Sequence, residues 1–166
     1  GTELWAKVKN GAANLGDLAY ALAVGGSGNV YVTGYSSNNS DQEYLTVAYD
    51  SAGTELWAKV KNGAANNFDY ATALAVDGSG NVYVTGYSSN GTNYDYLTVA
   101  YDSTGTELWS KVKNGAANNQ DNGFGLALGG SGNVYVTGFS SNGSNNDYLT
   151  VAYDSAGTEL WAKVKN

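Results

Sequence analysis

Residues 77–112 read DGSGNVYVTGYSSNGTNYDYLTVAYDSTGTELWSKV. Turn residues open the stretch. Val82-Tyr83-Val84-Thr85-Gly86 then alternates β-branched and aromatic side chains, the pattern of a short strand. After SSNGTNYD comes a second such run, Tyr96-Leu97-Thr98-Val99-Ala100-Tyr101, and after Asp102-Ser103-Thr104-Gly105 a third, Thr106 to Lys113. Upstream, Tyr70 to Val76 alternates large Tyr70, Thr72, Leu74 and Val76 with small Ala71, Ala73 and Ala75. Both faces of that strand can be buried, one bulky and one thin. In the last strand Glu107, Lys111 and Lys113 share a face with Trp109, charges that suit an outer edge and discourage stray pairing.

The unit recurs. Trp5, Trp57, Trp109 and Trp161 stand 52 residues apart, and GGSGNVYVTGYSS, DGSGNVYVTGYSS and GGSGNVYVTGFSS repeat with the same period. A period of this size signals propeller blades, solenoid turns or tandem arrays, and no stretch sustains the 3.6-residue rhythm of a helical repeat. Four strands running from an apolar inner strand to a charged outer one make an all-β chain of β-propeller blades, the ring incomplete within one chain. The divisions are an extra outer strand at 1–10 and blades at 11–62, 63–114 and 115–166. A β-solenoid or a stack of hairpin units is the competing fold; its coils are usually shorter and lack a charged fourth strand. Trp5, Trp57, Trp109 and Trp161 are expected to plug the spaces between blades.

The quoted stretch resembles the bacterial β-propeller repeat named for seven-bladed propellers. A second, partial resemblance lies in Ala48, Asp50, Gly53 and Trp57, repeated as Ala100, Asp102, Gly105 and Trp109, which is similar to the tryptophan-docking motif of quinoprotein dehydrogenase propellers. The turn is one residue shorter here and the vicinal Cys pair of those enzymes is missing. What the resemblance implies is therefore a blade-locking Trp and no quinone cofactor.

Composition narrows the chemistry. The chain has no Cys, His, Met or Pro, and its eight basic residues are all Lys. Thiol, imidazole and guanidinium chemistry are thus closed to it. Near-identical repeats also offer the same groups in every blade, whereas a catalytic constellation needs groups that occur once. No enzyme, metal or cofactor is expected. A formal charge of −7 disfavours nucleic acid and anionic membranes, and no apolar run is long enough to insert in a bilayer. A neutral polar ligand such as a glycan suits the chain better. The Gly-, Asn-, Ser-, Thr- and Tyr-rich composition resembles that of bacterial secreted and surface proteins, and the start in mid-motif at Gly1, with neither a start Met nor a signal peptide, reads as an excised segment.

Motifs with a chemical reading each have a simpler one. Asp77-Gly78-Ser79-Gly80-Asn81 is like the start of a calcium loop, yet Gly25 and Gly129 take the Asp position elsewhere and no acid closes the loop, so a tight turn is expected. The glycosylation-type triplets at Asn38, Asn90 and Asn142 read as turn formers, and Asp41 with Glu43 as solvated surface rather than a glycosidase pair. Tyr31, Tyr83, Tyr135 and Tyr44, Tyr96, Tyr148 are expected between blades with their hydroxyls at the rim, a minority free to stack on sugars. The copies are nearly identical through strands and tight turns but differ in two loops, NLGDLAY, NNFDYAT, NNQDNGF and NNSDQEY, NGTNYDY, NGSNNDY, and a meander puts both on one face of the disc. Asp17, Asn38, Asp41, Asp69, Asn90, Tyr94, Asp121 and Asn142 are the candidate ligand-face residues there. A scaffold for binding, a lectin-like multivalent version of it and a ligand-free or engineered spacer stay open.

The chain opens with GTELWAKVKN and repeats it at 157–166. Three blades are too few to close a ring. Either longer arrays continue the row, or two or three copies meet head to tail and the two identical decapeptides compete for one slot. The N-terminal copy is expected to be the displaced one, leaving Trp5 the least important of the four tryptophans.

Overall fold

The computed structural model describes residues 1–166. It contains three four-stranded antiparallel sheets, each a simple meander, and no helix. The first is β1 (Asp17–Val24), β2 (Val30–Ser37), β3 (Gln42–Tyr49) and β4 (Glu55–Lys61); the second is β5 (Asp69–Val76), β6 (Val82–Ser89), β7 (Tyr94–Tyr101) and β8 (Glu107–Lys113); the third is β9 (Asp121–Leu128), β10 (Val134–Ser141), β11 (Asn146–Tyr153) and β12 (Glu159–Lys165). The sheets are open and stand side by side as a row of propeller blades.

Two near-constant turns join strands on one side of the row. Gly25, Asp77 and Gly129 open the first, which closes on a glycine at φ of 79–84° (Gly28, Gly80, Gly132). A side chain would be strained in that left-handed conformation. The second is held by Asp50, Asp102 and Asp154, whose Oδ1 atoms each accept two backbone N–H bonds across the turn.

The second strands are longer than their apolar runs suggest. Tyr87, Ser88 and Ser89 pair with Tyr96, Asp95 and Tyr94, which reduces the connection to Asn90–Asn93. Asn90 explains this: its Oδ1 accepts from the N–H groups of Thr92 and Asn93, and Gly91 takes a φ of 92°. The inner strands also depart from simple alternation. A bulge leaves Tyr20, Thr72 and Phe124 unpaired, so Ala71 and Leu74 both enter the core that faces the first blade. The bulged Thr72 donates to the Gly123 carbonyl of the next blade at 2.8 Å.

Each blade has a face toward the blade before it and a face toward the blade after it. Between the first and second blades, Tyr31, Tyr44, Ala48 and Trp57 pack on Leu74, Val82, Val84, Leu97, Val99 and Tyr101. Between the second and third, Tyr83, Tyr96, Ala100 and Trp109 pack on Val134, Val136, Leu149, Val151 and Tyr153. The hydroxyls of Tyr44 and Tyr96 are not at the rim. They are buried in the joints and donate to the carbonyls of Leu97 and Leu149, both at 3.0 Å.

Tryptophan locks each joint from outside. Trp57 lies on the Gly105 turn, where an added Cβ would come within 2.8 Å of the indole, and its Nε1–H donates to the Ser103 carbonyl at 3.1 Å. Trp109 does the same over Gly157 with Ser155 at 3.0 Å. The Ala-Asp-Gly-Trp spacing is thereby explained: Asp shapes the turn, Gly leaves room for the preceding blade's indole, and Ala48 or Ala100 sits beneath its own blade's Trp.

Residues 1–10 form no strand, because the third strand they would pair with belongs to no blade of this chain. In the single chain they are docked on the first blade. Trp5 sits over Gly53, donates to the Ser51 carbonyl at 3.2 Å and meets Tyr49 at 5.9 Å, while Lys9 pairs with Glu55 at 2.9 Å. These are the contacts of Trp57 and Lys61 on the second blade. The decapeptide thus stands in for the outer strand of a preceding blade. Trp161, which meets no further blade among these three, is 40% exposed.

Candidate functional site

The side of the row opposite the tight turns carries the two variable loops, at the starts of the first and third strands of every blade. The candidate residues divide there. Asp69 and Asp121 are fully buried and Asp17 half-buried; each Oδ2 accepts the N–H of a loop glycine, Gly11, Gly63 or Gly115, at 2.6–2.7 Å. They lock the loop that enters the inner strand and do not face a ligand. Asp41 is buried too, with neither carboxylate oxygen receiving a hydrogen bond, so it is not solvated surface.

Buried carboxylates therefore collect at the joints. Burial pushes Asp69 and Glu43 above the ordinary carboxylate range, and Asp41 lies close enough to both to push them further. At the next joint burial raises Asp95, and Asp121 adds to the effect. Asn93 and Asn145 hold the position of Asp41 in the other two blades, and Asn93 donates to the Asn118 carbonyl at 2.8 Å. An amide supplies the donor that a carboxylate lacks.

Asn90 and Asn142 are exposed, but their side chains are committed to the turns. Each amide nitrogen donates to a carboxylate, Asp95 or Asp147, at 2.9 Å, and each amide oxygen accepts two backbone N–H groups. Asn38 shapes its turn in the same way through Ser40 and Asp41. Beside these turns lies a set of partly exposed aromatic rings.

Of the candidates, only Tyr94 belongs to that aromatic set. A continuous strip runs across all three blades: Tyr20 to Tyr35 at 5.8 Å, Tyr35 to Tyr70 at 5.3 Å, Tyr70 to Tyr87 at 5.1 Å, Tyr87 to Phe124 at 6.2 Å and Phe124 to Phe139 at 5.8 Å. Phe68 stacks on Tyr70, and Tyr94 meets Tyr87 edge-on. Tyr20 and Phe124 are about half exposed, and Phe68 slightly less. Partial burial, with Tyr94, Tyr87, Tyr35 and Tyr20 nearby, pushes the Tyr70 hydroxyl up to about 12, so it stays a neutral donor at any working pH. Tyr35, Tyr87 and Phe139 share one register and recur every 52 residues; what the sequence does not display is the bulge that brings Tyr20 and Phe124, the strand start at Tyr70 and the loop at Phe68 into contact with them.

On the turn side, a groove of about 340 Å³ lies between Asp77 and the Gly129–Gly132 turn. Burial works against the Asp77 charge, but hydrogen bonds from Asn81, Ser79 and Tyr83 outweigh it and hold the carboxyl below its ordinary value. Those bonds are the internal bonds of a tight turn. No three acidic side chains anywhere in the molecule gather as a metal site would require.

Residues 63–95 match the family described as Beta-propeller repeat, and they span the inner hairpin of the second blade and the turn beyond it. No curated relative matches the chain. Among solved structures the chain is similar to one titled "Crystal structure of the eukaryotic initiation factor", with a TM-score of 0.55 and 8% identity. The match covers 90% of this chain and 32% of that one, so this chain spans about a third of its length. At that identity the likeness concerns the fold alone. Fold and family comparison agree that the chain carries β-propeller repeats.

Proposed function

We propose that the chain is a non-enzymatic binding scaffold that takes a neutral polar ligand of the carbohydrate class on its loop-bearing side, in a secreted or cell-surface setting. The observation that carries this reading is the aromatic strip. It offers flat apolar faces, spaced from blade to blade, beside amide-rich turns and phenol hydroxyls. Sugar rings stack on such faces through their C–H edges while their hydroxyls pair with the flanking polar groups. Weak contacts on successive blades reinforce one another when the ligand is a polymer. The net charge of −7 supports a neutral ligand over an anionic one.

A glycan array probed with the labelled chain tests this. Binding to neutral oligosaccharides is expected, weakened about tenfold or more by Tyr20→Ala with Phe124→Ala, two half-exposed positions outside the buried clusters of the joints. An array without signal overturns the reading in favour of a structural spacer.

A further inference from the structure

The two ends of the row are open in complementary ways. On the first blade, Leu22 and Val24 are 67% and 61% exposed, whereas Leu74, the counterpart of Leu22, is 8% exposed in its joint. On the third blade, Tyr148 is 73% exposed, whereas its counterparts Tyr44 and Tyr96 are buried. In both internal joints that tyrosine reaches a glycine of the next blade, lying 2.7–2.8 Å from where a Cβ of Gly86 or Gly138 would stand, and bonds the carbonyl of Leu97 or Leu149. The matching place on the first blade, beside Gly34 and Leu45, is a groove of about 240 Å³.

From this pairing we propose that the groove beside Gly34 and Leu45 receives Tyr148 of a second copy of this chain, that copies join head to tail there, and that residues 1–10 are the built-in competitor for the joint. The remaining partners are defined by the same repetition. Trp161 of the incoming copy takes the Ser51 carbonyl and the Gly53 turn that Trp5 now covers, and its Lys165 takes Glu55 from Lys9. Lys165 makes no ion pair within its own chain. The tyrosine, tryptophan and lysine contacts of the internal joints therefore each have a partner at the open ends. Two copies give six blades, within the four to eight of closed rings, and each then contributes one donor end and one acceptor end.

Two identical decapeptides meet in one slot, and one must leave. β12 is paired along β11 from Tyr148–Lys165 to Tyr153–Glu159, whereas residues 1–10 pair with no strand and hold by the indole, its N–H bond and one ion pair. The N-terminal segment has less to lose and gives way. Its occupancy reduces the fraction of chains able to join, and so weakens apparent association without altering the joint itself.

Light scattering of the intact 166-residue chain over a range of concentrations tests this. A concentration-dependent rise from the 17.2 kDa chain to twice that mass is expected. Deleting residues 1–10 should lower the midpoint concentration by about tenfold or more. If the deletion impairs folding, Trp5→Ala with Lys9→Glu in the intact chain should shift it the same way. Lys165→Glu, which disturbs no ion pair within the chain, should raise the midpoint, and adding Glu55→Lys should restore it. Tyr148→Ala should prevent joining. Loss of assembly on deleting residues 1–10 would show that the N-terminal strand is the bond and overturn the proposal. So would a monomer at every concentration with and without the segment, which fits blades continued by a longer chain. Glycan binding is read on an array and joining by mass in solution, so the failure of one is distinguishable from the failure of the other.

Discussion

Trp109 and Trp161 occupy the same place in two blades with nearly the same neighbours in sequence, ELWSKVK and ELWAKVK. One is 9% exposed and hydrogen-bonded to the following blade; the other is 40% exposed, with no hydrogen bond from its indole nitrogen. Their own blades treat them alike, since Tyr83 and Tyr135 each stand 6.0 Å from the indole. The difference comes wholly from the next blade, present for one and missing for the other. In such a row a residue's energetic weight is set by its neighbour as much as by its own repeat, as expected where stability sums nearest-neighbour interfaces.

The sharpest break in this comparison is Trp109→Ala or Trp57→Ala. Either removes a plug from a closed joint and should cost about 3–5 kcal/mol in chemical denaturation. Trp161→Ala, measured at concentrations where the chain is monomeric, should cost less than about 1 kcal/mol. Trp5→Ala should fall between them, because Trp5 is half-buried against Gly53 and Tyr49. A loss at Trp161 equal to that at Trp109 would place the plug's value within its own blade and undo the argument.

Leucines in the inner strands repeat the comparison at smaller scale. Leu74→Ala should cost about 2–4 kcal/mol, since Leu74 lies in the joint with Ala71 and Val84. Leu22→Ala, at an open face, should stay within about 0.5 kcal/mol. The ion pairs Lys61–Glu107 and Lys113–Glu159 are partly exposed and add little to either joint.

The architecture was legible in the sequence because its determinants are local and repeated: alternation, turn glycines and a tryptophan every 52 residues. The place of residues 1–10 was legible only in part. Their likeness to β8 announced an outer strand, but strand formation requires a partner to hydrogen-bond, and side-chain docking on the far side of the joint does not. The candidate site was least legible. Asp17, Asp69 and Asp121 look like surface acids in a polar loop, and only three-dimensional structure shows each turned inward onto a glycine N–H. The aromatic strip was half legible: Tyr35, Tyr87 and Phe139 recur every 52 residues, but the bulges that bring Tyr20 and Phe124 beside them leave no mark in the sequence.

The first two blades also differ at Asp41 and Asn93, and the difference sets the pH response. Asp69, Glu43 and Asp95 have folded pKa values raised above their ordinary 3.8 or 4.5, chiefly by burial. Their ionised forms oppose folding at neutral pH, and that opposition is relieved as pH falls through the folded values. The turn carboxylates act in the opposite sense. Backbone bonds from Thr54 and Thr158 hold Asp50 and Asp154 below 3.8, the Thr104 hydroxyl does so for Asp102, and their support is lost only in stronger acid. The melting temperature should therefore rise as pH falls from 7 toward the ordinary carboxylate range and drop in stronger acid below it. Asp41→Asn removes the charge that raises Asp69 and Glu43 and copies Asn93, so it should stabilise the chain at pH 7 by about 1 kcal/mol. It should also flatten the rise between pH 7 and the maximum, because part of the repulsion that acid relieves is already gone. A variant that is stabilised but keeps the full rise would assign the gain to the new amide hydrogen bond alone. A destabilised variant would mean that the Asp41 oxygens have partners that matter.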